Sequence, residues 1–214
     1  MTTLLLIRHG QSTANRDGIY VGQTDALLSP EGEIQAAVTA AFIAGKYQVD
    51  HVYASDLKRA YRTGEAVAQV FSLPVKTDER LREIFSGAWE GVPYAVLEVT
   101  CAQDRHIWHR DIGNCRVTQG ESVRELAARV MEGLTEIAKK HDGQTVVIAT
   151  HATPIRAMQC LMSGLTMDEM HTVPWASNAS VTEVQYDAGA WRVTAASQDR
   201  HLGAWHSEAL AKRG

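Results

Sequence analysis

The sequence predicts an α/β protein in three layers, α/β/α: a mostly parallel sheet flanked by helices, with a small irregular cover over the crevice at one sheet edge. Three observations predict it. Leu4-Leu5-Leu6-Ile7 and Val146-Val147-Ile148-Ala149 are unbroken apolar runs, as strands buried on both faces require. Segments of helical period lie between them. Each run then ends in polar residues, Arg8-His9-Gly10 and Thr150-His151. Ligands bind just outside the carboxyl ends of such strands.

The first strand covers residues 4–7, and a loop follows. Ser29 is a candidate N-cap, Pro30 suits the first helical position, and Glu31 and Glu33 favour the positive helix end. Ile34, Ala37, Val38, Ala41 and Phe42 form the expected buried face, and Gly45 the stop. Residues 51–54 read as a second strand, after which Ser55-Asp56 is expected to cap a helix. Ala60, Gly64, Val67 and Phe71 give that helix its sheet-facing stripe. Arg59 falls off the stripe, in the first turn, where amide groups already favour an anion. Residues 73–75 end the helix and start a short strand.

Residues 84–120 are the least regular and are expected to cover the crevice with short helices. Ser122-x-x-Glu125 is a capping box, opening a long amphipathic helix that ends near His141. Residues 145–150 form the second strongly buried strand, with His151 directly after it. Pro154 is expected to open the next helix, to about Met162. Residues 181–186, a turn at 187–189 and residues 191–195 read as a terminal hairpin. The order of elements implies right-handed crossovers.

The chain has 214 residues, enough for one domain over 1–214 with a cover insertion at about 84–120. No Pro/Gly/Ser-rich linker or internal repeat divides it. With 45% hydrophobic and 21% charged residues, a folded core is expected. A net charge of −4 offers no general basic field, so no nucleic-acid or membrane partner is expected. No apolar run reaches the roughly 20 residues of a membrane span, and no signal-peptide pattern precedes the first strand. Cys101, Cys115 and Cys160 are odd in number without C-x-x-C pairing, which argues against a disulfide framework or structural zinc. They are expected as buried small groups in a cytoplasmic protein.

His9, His151, Arg8 and Arg59 all fall at one edge of the expected sheet, and Glu83 follows a further strand segment. Two imidazoles, two guanidiniums and a carboxyl then share one crevice. An imidazole with a free lone pair is a nucleophile near neutral pH. A hydrogen bond from its other nitrogen, with the Gly10 carbonyl as candidate, would fix the tautomer. Arg8 and Arg59 suit forked contacts to phosphate oxygens. The plainer alternatives are a surface Arg-His-Gly turn and a Glu83 paired with Arg80 or Arg82.

The segments Arg8-His9-Gly10, Ser55-Asp56-Leu57-x-Arg59-Ala60-x-x-Thr63, Leu81-Arg82-Glu83, Gly87-x-Trp89-Glu90-Gly91 and Thr150-His151 resemble the histidine phosphatase superfamily, the phosphoglycerate mutase-like group. Gly22-Gln23-Thr24-Asp25-x-x-Leu28-Ser29 resembles the family's first loop. The resemblance implies that His9 attacks phosphorus to form a phosphohistidine. Arg8, Arg59 and His151 would bind the transferred group, and Glu83 would be general acid and then base. It implies a metal-independent phosphomonoesterase with no cofactor, acting on a small phosphorylated metabolite and releasing inorganic phosphate. Asn15, Gln23 and Thr24 resemble substrate-pocket positions, as does Ala152, where the family usually has glycine. Trp89 is expected in packing. His106, His109, His171, His201 and His206 are expected to be ordinary histidines, and basic and aromatic residues of 92–120 are expected at the substrate. The mutases are usually longer after the acid residue, so mutase-type transfer is the second alternative and a non-catalytic binding module the third. Oligomeric state is left open, a dimer included.

Overall fold

The computed structural model describes residues 1–207. The expected chain span of 1–214 therefore has its last seven positions outside the described residues. The strands are β1 (Thr2–Arg8), β2 (His51–Ala54), β3 (Val75–Thr77), β4 (Thr145–Thr150), β5 (Val181–Asp187) and β6 (Ala190–Gln198). They form one sheet in the order β3-β2-β4-β1-β5-β6. The β3, β2, β4 and β1 neighbours run parallel, while β5 and β6 are antiparallel additions at one side.

Alternation along the central strands divides the core. Leu4, Leu6, Val146 and Ile148 pack on one face, with α6 (Val123–Lys140) and α7 (Ala152–Met162). Leu5, Ile7 and Val147 pack on the other, with α2 (Pro30–Ala44) and α3 (Lys58–Phe71). Both faces are dry, which is why these strands read as continuous apolar runs. Fully burying each such side chain contributes about 1.5–3 kcal/mol.

Register positions the site. Arg8 pairs with Thr150 and Ala54 with Ala149, so His9, His151 and Ser55 leave the sheet at one edge. A short helix, α1 (Thr13–Asp17), follows β1 where a loop was expected; Ser12 and Asn15 close a capping box on it. The α6 capping box forms as written: Glu125 N donates to Ser122 Oγ, and Ser122 N to Glu125 Oε2. The hairpin turns at Ala188 and Gly189, both at positive φ, as a two-residue loop between right-twisting strands requires.

Three expectations fail in detail. The buried face of α2 is Gly32, Gln35, Ala36, Thr39, Ala40 and Ile43, while Ile34, Ala37 and Ala41 are exposed. Polar tertiary contacts reverse the helix: Gln35 Oε1 accepts from Gln11 N at 2.7 Å, and Thr39 Oγ1 donates to the Ala179 carbonyl at 2.9 Å. The α3 cap is neither Ser55 nor Asp56, because Lys58 N donates to Asp25 Oδ1 of a distant loop at 2.8 Å. The last helix opens at Ala152, with Pro154 inside its first turn, where no amide partner is needed.

The cover holds a 3-10 turn (Gly87–Trp89), α4 (Tyr94–Thr100), α5 (Ala102–Arg110) and a second 3-10 turn (Ile112–Asn114). Trp89, Leu97, Trp108 and Ile112 join the α6–α7 core, and Trp89 is packed edge-on against Tyr20 and Trp108. Cys115 and Cys160 are buried, but Cys101 is only half-buried. Among the described residues, no helix is long and apolar enough to cross a membrane.

Candidate active site

A cavity of about 650 Å³ opens at the carboxyl ends of β1, β2 and β4, lined by Arg8, His9, Arg59, Glu83, Asn15 and Ala152 among others. His9 N donates to the Thr150 carbonyl at 3.0 Å, tying the end of β1 to the end of β4. The next residue must be glycine: a Cβ on Gly10 would overlap the Gly32 carbonyl, where α2 crosses at backbone distance. Gly10 N donates to Thr63 Oγ1, whose hydroxyl donates to the Arg59 carbonyl, so β1 and α3 are joined beneath the site.

The tautomer of His9 follows from its partners. The Gly10 carbonyl, 2.7 Å from Nδ1, only accepts, so Nδ1 carries the proton. Arg59 Nε, 3.3 Å from Nε2, only donates, so Nε2 presents its lone pair. Burial, then the charges of Arg59 and Arg8, hold the imidazole well below its ordinary pKa despite the Gly10 contact. His9 is therefore neutral at neutral pH.

Arg59 stands in the first turn of α3 and is buried. Its Nη2 donates to the Gly22 carbonyl at 2.6 Å and its Nη1 to the Thr24 carbonyl at 3.1 Å. Arg8 donates through Nη1 to the Ala176 carbonyl, and its Nε is buried without a partner. Burial pulls its pKa to about 10, leaving it charged at neutral pH. An unpartnered buried donor on a cation suits an anionic ligand. The ring of His151 lies 5.2 Å from that of His9, centre to centre; its Nε2 meets Ser55 Oγ at 2.9 Å and its Nδ1 has no partner. Burial, then Arg59 and His9, keep its pKa well below the ordinary value.

Glu83 is 7% exposed and faces the same cavity. Its oxygens accept from Ile84 N at 2.9 Å and Thr153 N at 3.3 Å. Burial outweighs these bonds and the Arg59 charge, so its pKa is raised. The pairing of Glu83 with Arg80 or Arg82 does not occur: Arg80 pairs with Asp78 and Glu136, and Arg82 with Asp56. Ala152, the first residue of α7, is not at positive φ, so its methyl needs no strained backbone.

Gln23 and Thr24 lie outside the cavity lining. Gln23 Nε2 donates to the Glu83 carbonyl, and Thr24 contributes its backbone to Arg59. Tyr94, Arg105, Trp108 and His109 of the cover do line the cavity. So do His171 and His206, which the sequence suggests are ordinary, and Arg156 and Trp175, which carry no motif. Arg156 has one signal: it lies four residues after Ala152, on the same face of α7. Two supports also escape a reading of the sequence. Arg129 of α6 donates to the carbonyls of Arg80, Arg82 and Glu83, and Glu90 accepts the N–H groups of Gly22, Gln23, Thr24 and Ser86. Glu90 stands in the Gly87-x-Trp89-Glu90-Gly91 motif, but its loop partners lie more than 60 residues away in the chain.

The sequence matches the histidine phosphatase superfamily (branch 1) over residues 4–199. It is 31% identical to phosphoserine phosphatase 1 of Hydrogenobacter thermophilus, over 98% of both chains. It is 30% identical to a probable phosphoglycerate mutase of Escherichia fergusonii, over 95% of this chain and 96% of that one. The fold superimposes on a mycobacterial glucosyl-3-phosphoglycerate phosphatase solved with VO3, with a TM-score of 0.85 and 28% identity, covering 92% of this chain and 99% of that one.

Proposed function

The chain belongs to the histidine phosphatase superfamily, and from that premise we propose that it hydrolyses a small phosphomonoester through a phosphohistidine on His9. The observation that carries the proposal is the state of His9: a neutral ring, proton on Nδ1, lone pair on Nε2, beside two buried guanidiniums. Phosphoryl transfer asks chiefly for positioning and for stabilisation of the negative charge on the equatorial oxygens.

In the first step His9 Nε2 attacks phosphorus and the bond to the ester oxygen breaks. The leaving oxygen takes the Glu83 proton, whose retention burial favours. The Gly10 carbonyl, accepting from Nδ1, stabilises the positive charge on the phosphorylated ring. In the second step Glu83 takes a proton from water, the water oxygen attacks phosphorus and the P–N bond breaks. Inorganic phosphate leaves, and both residues return to their starting states. Arg8, Arg59 and His151 bind the transferred oxygens, and the cover of residues 84–120 contacts the rest of the ester. The roles use no metal or cofactor.

Rapid quenching of a labelled phosphate ester tests this directly. An acid-labile phosphoenzyme and steady release of inorganic phosphate are expected; no labelled enzyme with any ester would revive the binding-module alternative. The probable phosphoglycerate mutase among the relatives keeps the transferase reading open to test. With 3-phosphoglycerate and a trace of 2,3-bisphosphoglycerate, inorganic phosphate is expected, and 2-phosphoglycerate as the main product would reassign the reaction.

A further inference from the structure

Arg156 is a buried cation on the cavity wall that the phosphoryl chemistry does not use. Its side chain projects from α7 one turn beyond Ala152, on the order of 6 Å along the helix axis. Nε donates to the Val173 carbonyl at 2.6 Å and Nη2 to the His171 carbonyl at 3.2 Å. The guanidinium lies over the Trp175 ring, 4.3 Å from its centre. These contacts fix its plane and leave Nη1 without a hydrogen-bond partner among the described residues. Among the described residues, no carboxylate comes within ion-pair distance of it. Arg105, an arginine that the cover contributes to the cavity, is by contrast already paired with Glu98.

A buried charge held by neutral partners alone is costly, and truncating or satisfying it has large effects. Stacking on tryptophan offsets part of that cost. The rest is met by an anion arriving with the ligand, through charge-assisted bonds to the unused N–H groups. Two of the guanidinium's nitrogens are already bonded to carbonyls, so the exposed edge suits a compact monoanion better than a phosphoryl group needing several donors. We propose that Arg156 is a subsite for a carboxylate on the substrate, so that the preferred esters carry a phosphate and a carboxylate on a short carbon chain. The proposal rests on the phosphatase reading and names its substrate class.

Matched pairs test it: 3-phosphoglycerate against glycerol 3-phosphate, and phosphoserine against phosphoethanolamine. In each pair only the first member has the carboxylate. The intact protein is expected to show at least tenfold higher kcat/KM for the first member. In Arg156→Gln that preference should vanish, while kcat/KM for glycerol 3-phosphate and p-nitrophenyl phosphate changes less than threefold. Equal losses on all four esters would make Arg156 a structural support of the 171–173 backbone and overturn the subsite. A preference for 1,3-propanediol bisphosphate over 3-phosphoglycerate would overturn it in favour of a second phosphoryl group. Calorimetric binding of the same pairs to His9→Ala reads the preference without turnover. Inactivity on every ester would therefore sink the phosphatase reading alone, whereas equal binding of both members would sink the subsite alone.

Discussion

Glu90 and Arg59 hold the same short loop without touching: Glu90 accepts the N–H groups of Gly22, Gln23 and Thr24, and Arg59 donates to the carbonyls of Gly22 and Thr24. Burial alone would raise the Glu90 pKa, but the bonds from Thr24, Gln23 and Ser86 bring it below the usual value, so it is a carboxylate at neutral pH. Residues 22–24 thus form a bracket between the Glu90 carboxylate and the Arg59 guanidinium, the group proposed to bind the transferred phosphoryl oxygens. Glu90→Gln swaps acceptor capacity for an NH₂ facing N–H donors. It should misplace Arg59 and lower kcat/KM for p-nitrophenyl phosphate by up to about 10²-fold. Inhibition by vanadate should weaken in parallel; unchanged kinetics would detach Glu90 from the site.

Replacing His9 with Ala should abolish turnover and the acid-labile phosphoenzyme. The arginines are held by backbone carbonyls rather than by His9 alone, so phosphate binding should survive. Residual activity near the unsubstituted level would refute the mechanism.

Glu83→Gln should slow alkyl phosphates by about 10²–10⁴-fold, the usual worth of a general acid. The loss on p-nitrophenyl phosphate should be much smaller, because nitrophenolate needs little protonation. Stability carries an independent sign. A carboxyl whose folded pKa is raised favours the folded state at low pH, and that advantage is lost as pH rises through the folded pKa. The stability of Glu83→Gln relative to the parent should therefore rise as pH increases to neutral and above, although its NH₂ must face the Ile84 or Thr153 N–H. The gain should fade as pH falls toward the ordinary carboxyl range. Thermal melts of both proteins from pH 4 to 8 check this, and a gain largest at pH 4 would contradict it.

Gly32→Ala should destabilise the fold by about 1–3 kcal/mol, because the new methyl overlaps the Gln11 carbonyl and backbone must move. Activity should fall with it, since Gln11 follows Gly10 and His9 in the same loop. Denaturant unfolding with phosphatase assays measures both.

The central strands are legible in the sequence because both faces of the sheet are dry: an unbroken apolar run fits a strand buried on both sides, and its short length between turn signals separates it from a buried helix. His9, His151, Arg8 and Arg59 are legible because strand ends and a helix start place them without knowledge of side-chain contacts. Where a helix face is chosen by polar tertiary bonds, local pattern misleads: Gln35 and Thr39 are buried in α2, and Ile34 is not. The Asp25 cap, the Glu90 bracket and the Arg129 clamp share that cause, since each joins residues from distant parts of the chain. Gln23 and Thr24 read as pocket side chains, but Thr24 reaches Arg59 through its backbone and Gln23 reaches the Glu83 carbonyl. The wall around Arg156 and Trp175 depends on how 171–177 returns over α7, and no short-range signal encodes that path.

The Arg59 Nε–H leans on the very electron pair that His9 would donate, at the long end of hydrogen-bond range. On the proposed mechanism, an incoming oxyanion would compete for that N–H more strongly than a neutral ring does, and would free the imidazole by its own arrival. On that mechanism, uncharged electrophiles would lack this lever, and a preference for anions would arise in the approach itself, ahead of any contact with the cover.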